Sequence, residues 1–249
     1  MDPFLSSDAW AELASDYNLA VGEVPKQSLK SLALSELMEE ETCKAYIDWL
    51  MGHIGASHAS VASSMLVKRL GRLLVAPVLS AMSYYNQGMG IKLEHCQLFH
   101  ADASAAGTTF PFATLTDVTV TTPDAHRRET WRAEVLHQLF AERLTPLMRN
   151  IAEAGSVSMA ILWENVMVRI APVFACDKNQ DEEWNQRVRE DFFFLAREAP
   201  GELFGMRKNP LASFAETRDG CQLAGRSRRL TCCLYYQMAP EYCLKCPKL

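Results

Sequence analysis

The feature that most constrains this chain is a concentration of cysteines close to its C-terminal end. Half of its eight cysteines lie in the last 18 residues, as Cys232, Cys233, Cys243 and Cys246. Their spacing is C-C-x9-C-x2-C, and Pro247 follows directly. Four thiolates supply the ligands that an iron–sulfur cluster or a structural zinc ion requires. We therefore predict that the function of the chain depends on this segment.

The residues alone leave three interpretations of the motif open. The thiols could hold an iron–sulfur cluster, hold zinc as a structural clip, or act as redox thiols or disulfides. Zinc sites favour two C-x2-C knuckles, whereas here only Cys243 and Cys246 form one. The adjacent side chains of Cys232 and Cys233 diverge, which suits ligands spread over several metal atoms, and Cys-Pro also ends iron–sulfur motifs. These features favour a cluster over zinc.

The other four cysteines stand singly in the sequence. Cys43, Cys96 and Cys176 lie in apolar helix or strand context, so we expect them to pack as small buried hydrophobes. Cys221 precedes Cys232 by eleven residues in a loop-rich segment, and it could replace one member of the adjacent pair as a ligand.

The composition is that of an ordinary globular protein. Of 249 residues, 49% are hydrophobic and 22% are charged, and the formal net charge of -5 argues against a nucleic-acid partner. The N-terminal residues lack the basic and apolar regions of a secretory signal. The most apolar stretch, 61–82, contains Lys68, Arg69, Arg72 and Pro77, which disfavours a transmembrane helix. We expect a cytoplasmic protein, a setting in which paired cysteines bind metal more often than they form disulfides.

Helical periodicity dominates most of the chain. It predicts helices over residues 31–51, 57–76, 128–154 and 156–172, and another that follows the acidic loop 177–183. Pro77 should kink or restart the second of these. Residues 89–99 and 112–122 alternate between apolar and polar, which predicts an antiparallel pair of strands. The predicted class is α+β, with a mainly helical body, a small antiparallel sheet and a short C-terminal cysteine module.

Composition also suggests where the chain divides. Residues 200–225 are rich in Gly and Pro, and the chain is loop-like from 206 onward. We predict a helical body over residues 1–205, with its β-hairpin near 89–122, and a cluster-binding module over residues 206–249.

Other catalytic and metal-binding patterns are missing from the sequence. No G-x-G-x-x-G follows a strand and opens a helix, so an electron would have to come from a separate donor. His53 and His58 are five residues apart, as are His95 and His100, and this separation places neither pair on one face of a helix or strand. We therefore do not expect histidine ligands.

Residues around the cysteines repeat a known pattern. Arg228 and Arg229 precede the adjacent cysteines, aromatic residues follow them, and C-x2-C-P closes the segment. This tail resembles that of the ferric-siderophore reductases of the FhuF type. The phrase Leu-Trp-Glu-Asn-Val at 162–166 is similar to one in the body of that family, and the phrase at 90–95 is similar to one in siderophore synthetases. Nine residues separate Cys233 from Cys243 where ten are commoner in the family, a change that a loop between ligand pairs absorbs easily.

The resemblance implies an enzyme that reduces Fe(III) in a hydroxamate-type ferric siderophore and releases Fe(II). Cys232, Cys233, Cys243 and Cys246 would ligate a [2Fe–2S] cluster that passes single electrons. The implied partners are the ferric siderophore and a separate donor of the ferredoxin or flavin reductase type, and a peripheral association with the inner membrane stays open. The alternative is a siderophore-binding or siderophore-handling protein whose zinc clip only orders the tail.

Basic residues accompany the cysteine motif. Arg226, Arg228 and Arg229, with Lys245 and Lys248, are either a solvated face or charges that act on the site. In the second case they would stabilise an anionic cluster, or attract an acidic donor or an anionic ferric complex. The three arginines are therefore our candidate contacts to substrate or donor.

Overall fold

The computed structural model describes residues 6–102, 107–124, 126–175, 181–218 and 222–249. Most of these residues are helical. The α-helices within them are α1 (Ser7–Tyr17), α2 (Glu40–His53), α3 (Ala59–Leu70), α4 (Ala76–Tyr85), α5 (Arg128–Leu139), α6 (Thr145–Ala154), α7 (Met159–Ile170) and α8 (Glu182–Phe193).

Short strands form three small sheets in the described part of the chain. They are β1 (Leu19–Val21), β2 (Lys30–Ala33), β3 (Gly88–Gly90), β4 (Cys96–His100), β5 (Phe112–Leu115), β6 (Thr119–Thr121), β7 (Ala215–Arg218) and β8 (Gln222–Gly225). The largest sheet has the order β1-β5-β4-β2, while β3 pairs with β6 and β7 pairs with β8. Only the pairing of β1 with β5 is parallel among these ladders. The fold is therefore α+β with a helical body, as predicted.

The predicted strand pair is present as two separate ladders. Strand β4 pairs antiparallel with β5, where Leu98 lies opposite Ala113. Strand β3 pairs antiparallel with β6, where Met89 lies opposite Val120. The two ladders belong to different sheets, a division that alternation along the sequence does not reveal.

Two helices pass through a proline by changing their hydrogen-bond register, and a third ends in the same kind of turn just before a proline. A π-helical turn over Gly71–Val75 precedes Pro77, one over Phe140–Leu144 precedes Pro146, and one over Phe194–Glu198 precedes Pro200. In the first turn the N–H of Ala76 donates to Gly71, five residues back. A proline ring clashes with the carbonyl of the preceding turn and offers no N–H, so a wider turn just before it relieves the conflict. Helices α3 and α4, and likewise α5 and α6, therefore continue through these turns.

Two stretches differ from the sequence-based expectation. Residues 30–33 form β2 at the edge of the largest sheet, where helix was predicted from residue 31. Pairing with β4 overrides their helical spacing, because Leu32 is buried in the ladder opposite Leu98. Beyond residue 206 the chain is not all loop, since β7 and β8 form a hairpin.

One buried apolar cluster runs through the helices and the largest sheet. Cys233 belongs to it, so the cysteine tail packs against the helical body at that residue. The division into residues 1–205 and 206–249 stays a prediction. No helix in the described ranges is both long and apolar enough to cross a membrane.

Candidate metal centre

The tail brings two of the four motif cysteines into sulfur contact. The Sγ atoms of Cys233 and Cys243 lie 3.5 Å apart. Two thiolates on one tetrahedral metal ion, with metal–sulfur bonds of about 2.3 Å, lie about 3.8 Å apart. The observed separation is therefore close to what one zinc ion, or one iron atom of a cluster, requires.

The other two motif cysteines form hydrogen bonds with the backbone of the tail. The Sγ of Cys232 accepts from the backbone N–H of Leu234 at 3.5 Å, and the backbone N–H of Cys246 donates to the carbonyl of Cys243 at 2.9 Å. Burial raises the pKa of Cys232, and the Cys246 and Cys233 sulfurs add to that rise.

The surroundings of Cys243 favour the protonated form of its thiol. Burial, and then the neighbouring Cys233 sulfur, raise the pKa of Cys243 to about 11. Within the described ranges, no three His, Cys, Asp or Glu side chains are already arranged as a metal-binding group, and all six described cysteines are free thiols. Binding of a metal must therefore displace protons and draw the sulfurs together.

Glu164 fastens the tail to helix α7 just before the cysteines. Its carboxylate, which is 2% exposed, accepts from the backbone N–H groups of Leu230 and Thr231 at 2.7 Å each, and also from the Thr231 hydroxyl. Hydrogen bonds to a buried carboxylate are stronger than neutral ones. This clamp fixes where Cys232 and Cys233 begin.

A second clamp holds the carbonyl of Cys233. The Ser64 hydroxyl on α3 donates to that carbonyl at 2.8 Å, and the Asn165 amide on α7 donates to the Ser64 hydroxyl at 2.9 Å and to its carbonyl at 2.8 Å. All three residues are buried. The cysteine pair is therefore positioned by two helices of the body.

The predicted basic contacts separate into different environments. Arg228 is exposed and donates to the carbonyl of Leu249, and Lys248 is exposed and donates to the Tyr236 hydroxyl at 2.8 Å. Arg226 is half-buried, and Lys245 donates to its carbonyl at 3.0 Å. Arg229 points inward instead: its side chain is 2% exposed and lies 3.5 Å from Glu164. Of the three arginines, only Arg228 is fully available to a partner at the surface.

The remaining cysteines and histidines do not join this site. Cys43 and Cys96 are fully buried, and burial raises their pKa values to about 11 and about 12. Cys176 and Cys221 lie outside the described residues. His53 and His100 lie with their ring centres 5.1 Å apart, a contact between α2 and β4 that sequence spacing could not show.

Comparison with known proteins identifies the family. The family described as "Ferric iron reductase FhuF-like transporter" matches residues 64–221, which is more than half of the chain. The chain belongs to the FhuF-like ferric iron reductase family. The match begins at Ser64, in the second clamp, and ends before the adjacent cysteines. Comparison with the curated proteins finds no match.

The fold of this FhuF-like chain is also similar to part of a solved synthetase. Aerobactin synthetase IucC from a hypervirulent pathotype of Klebsiella pneumoniae matches with a TM-score of 0.50 and 12% sequence identity. The match covers 76% of this chain and 36% of the synthetase, so this chain spans about a third of the length of that protein. At this identity the likeness concerns the fold alone.

Sequence reasoning missed the residues of the FhuF-like body that hold the tail. Ser64 and Lys68, whose Nζ lies 4.0 Å from the Cys233 Sγ, look like ordinary helix residues, because nothing in the sequence places α3 beside Cys233. Glu164 and Asn165 lie in the phrase at 162–166 that resembles the family. Two polar residues in the middle of an otherwise apolar helix were the signal that could have revealed a buried polar partner.

Proposed function

We propose that this chain is a ferric-siderophore reductase that holds a [2Fe–2S] cluster on Cys232, Cys233, Cys243 and Cys246. The observation that carries the proposal is the approach of the Cys233 and Cys243 sulfurs to 3.5 Å, in a tail that Glu164 and Ser64 fasten to the family's body. The family supports the reductase activity. The ligand set and the type of cluster are our assignment.

A bound cluster of this type would supply one electron at a time to Fe(III) held by the hard oxygen donors of a siderophore, which we propose to be of the hydroxamate type. Each electron converts one Fe(III) to Fe(II), which such donors hold far less tightly. The electron must reach the cluster from a separate redox protein that donates one electron at a time, since the sequence carries no dinucleotide-binding motif. We propose a donor of the ferredoxin or flavin reductase type.

The chain's own residues would keep the site partly shielded and leave one side accessible. Cys233 and Cys246 are 1% and 3% exposed, whereas Leu244, between the knuckle cysteines, is fully exposed. Leu230 and Tyr242 are also exposed. Residues 226–249 contain five Lys or Arg and one Glu, although the whole chain has a net charge of -5. The exposed Arg228 and Lys248 beside exposed apolar residues suit a transient contact with an acidic electron donor.

We also propose a cytoplasmic location and a functional division between body and tail. Free thiols at all six described cysteines suit a reducing compartment. In this division residues 1–205 form the scaffold and residues 206–249 provide the redox centre. Lys68, Ser64 and Glu164 are the contacts through which the scaffold would act on that centre.

The decisive test is the absorption spectrum and metal content of anaerobically purified protein. We expect brown protein with iron and acid-labile sulfide in equal amounts, and visible absorption that dithionite bleaches. Colourless protein with one zinc ion would contradict the cluster assignment.

A second measurement separates reduction from binding. Dithionite-reduced protein, freed of excess dithionite, is mixed with a ferric hydroxamate siderophore, and Fe(II) is trapped with a coloured chelator. We expect an amount of Fe(II) that is proportional to the number of electrons held by the reduced protein. A complex that binds without yielding Fe(II) would favour a siderophore-binding protein with a zinc clip, because the sulfur spacing at Cys233 and Cys243 would also suit zinc.

A further inference from the structure

Helix α3 places a lysine directly against the cysteine pair. The Nζ of Lys68 lies 4.0 Å from the Sγ of Cys233 and 5.7 Å from the ring centre of Tyr235. No carboxylate in the described part of the chain forms an ion pair with it. Burial lowers the pKa of Lys68, while the Cys233 sulfur raises it. The nearest group that could balance its charge is therefore a sulfur atom.

Arg229 is a second buried cation, and two nitrogens of its guanidinium group have no hydrogen-bond acceptor among the described residues. The Nε of Arg229 lies 3.5 Å from Glu164 and donates to the carbonyl of Thr231 at 3.0 Å. Its Nη1 and Nη2 atoms are buried and have no hydrogen-bond partner among the described residues. A buried guanidinium with unused N–H groups is costly, since those groups have left water and found no acceptor.

The charges of this region do not balance in the protein alone. Glu164 is the carboxylate paired with Arg229, and it also accepts from Leu230 and Thr231. Lys68 then has a thiol and an aromatic ring beside it, and neither carries a charge while the thiol is protonated. A cluster held by four thiolates is anionic, and it becomes more negative when it accepts an electron. The cations therefore fit the group that the thiols would hold.

We propose that Lys68, assisted by Arg229, is a positioning residue that stabilises the reduced state of the cluster and so raises its reduction potential. The proposal rests on the proposed function, because it requires a cluster on Cys233. It adds a role for a residue of the scaffold helix, 165 positions away from Cys233 in sequence. Lys68 would act through its contact with the ligand Cys233.

The test is a redox titration of the iron-loaded protein, with Lys68→Met compared with the charge-preserving Lys68→Arg. Lys44→Met, which removes an exposed lysine on α2, is the matched control. We expect the neutral variant to be reduced with an equilibrium constant at least about tenfold lower, which is a midpoint potential about 59 mV lower for one electron. Lys68→Arg and Lys44→Met should stay within about twofold of the parent protein.

The outcomes separate this proposal from the proposed function. A fully loaded Lys68→Met protein with an unchanged midpoint potential overturns the role of Lys68 and leaves the reductase proposal standing. Parent protein without iron or sulfide contradicts the proposed function itself. If Lys68→Met loses the cluster, Lys68→Gln is measured next. Loss in both neutral variants but not in Lys68→Arg supports the role of the charge, whereas loss in all three shows that the site requires the lysine's shape and overturns the proposal.

Discussion

Two buried charged sites in this protein are built from similar residues but are completed differently. In the body, Asp191 on α8 is fully buried and accepts from Arg128 at 2.8 and 2.7 Å, from Arg132 at 3.0 Å and from Ser83 at 2.8 Å. Arg128 uses all three of its nitrogens, since its Nε donates to Asn86 at 2.8 Å. The folded chain alone satisfies this carboxylate and its main partner.

The cysteine site is the opposite case. Glu164 is saturated, but Lys68 has a sulfur as its nearest balancing group, and two nitrogens of Arg229 have no partner among the described residues. Two thiols in contact beside a lysine that has no carboxylate partner among the described residues are of little use to packing. In the Asp191 network, the Nε of Arg132 also has no partner among the described residues, but both cations share a carboxylate. The difference at the cysteine site is therefore the position of Lys68, which faces a thiol instead of a carboxylate.

The largest expected effect is the loss of the cluster from the motif variants. Cys232→Ser, Cys233→Ser, Cys243→Ser and Cys246→Ser should each lose most of the bound iron, because serine replaces a soft thiolate with a hydroxyl that rarely ionises. Cys43→Ser, Cys96→Ser and Cys176→Ser are the controls and should keep it. Iron content and visible spectra decide this comparison. Loss in Cys221→Ser, with retention in Cys232→Ser or Cys233→Ser, would show that a different set of four holds the cluster.

The next largest effect is expected from removing the Asp191 carboxylate, which lies in the body. Asp191→Ala should lower the free energy of unfolding by about 3–5 kcal/mol, because it leaves Arg128 and Arg132 without their shared partner. Denaturant unfolding measures the change, and Asp117→Ala, at an exposed position, is the control. The iron content of folded Asp191→Ala protein should equal that of the parent. A lower iron content would mean that the two sites are coupled.

A smaller effect is expected at Glu164, which joins helix α7 of the body to the cysteine tail. Glu164→Gln should weaken the clamp on Leu230 and Thr231 by about 1.5–3 kcal/mol, since the amide nitrogen cannot accept from one of the two backbone N–H groups and the other bond becomes a neutral one. Faster amide exchange at these two residues and faster loss of iron to a chelator would report it. Glu153→Gln, at an exposed position on α6, should change neither rate. Equal rates in Glu164→Gln and the parent would show that the tail does not depend on this clamp.

The smallest effect concerns His100, a buried histidine whose two ring nitrogens both have hydrogen-bond partners when the ring is neutral. His100 is 1% exposed, its Nε2 lies 2.9 Å from the Tyr46 hydroxyl and its Nδ1 lies 3.1 Å from the Thr109 carbonyl. Burial lowers its pKa from 6.5 to about 4. The unfolded state then binds the proton more readily, so stability should fall as the pH decreases from 6.5 toward 4. Unfolding at several pH values should show a shallower decline in His100→Gln, and identical slopes would contradict this assignment.

The sequence alone determined the larger part of the body and predicted the ligand set. Helical spacing found α3, α5 and α6, because a buried face repeats at the helical period whatever it packs against. Alternation found the pairing of β4 with β5 and of β3 with β6. The C-C-x9-C-x2-C-P spacing and the phrase at 162–166 suggested the family to which the chain belongs.

Only the tertiary structure decided which residues of the body act on the tail. Ser64 and Lys68 meet Cys233 across more than 160 positions, and local patterns carry no information about contacts at that separation. The tertiary fold also turned Arg229 inward, although the basic run suggested a surface charge. Pairing with β4 makes residues 30–33 a strand, although their apolar residues are spaced as in a helix. Local periodicity fixes which face of an element is apolar, whereas packing fixes which element that face meets.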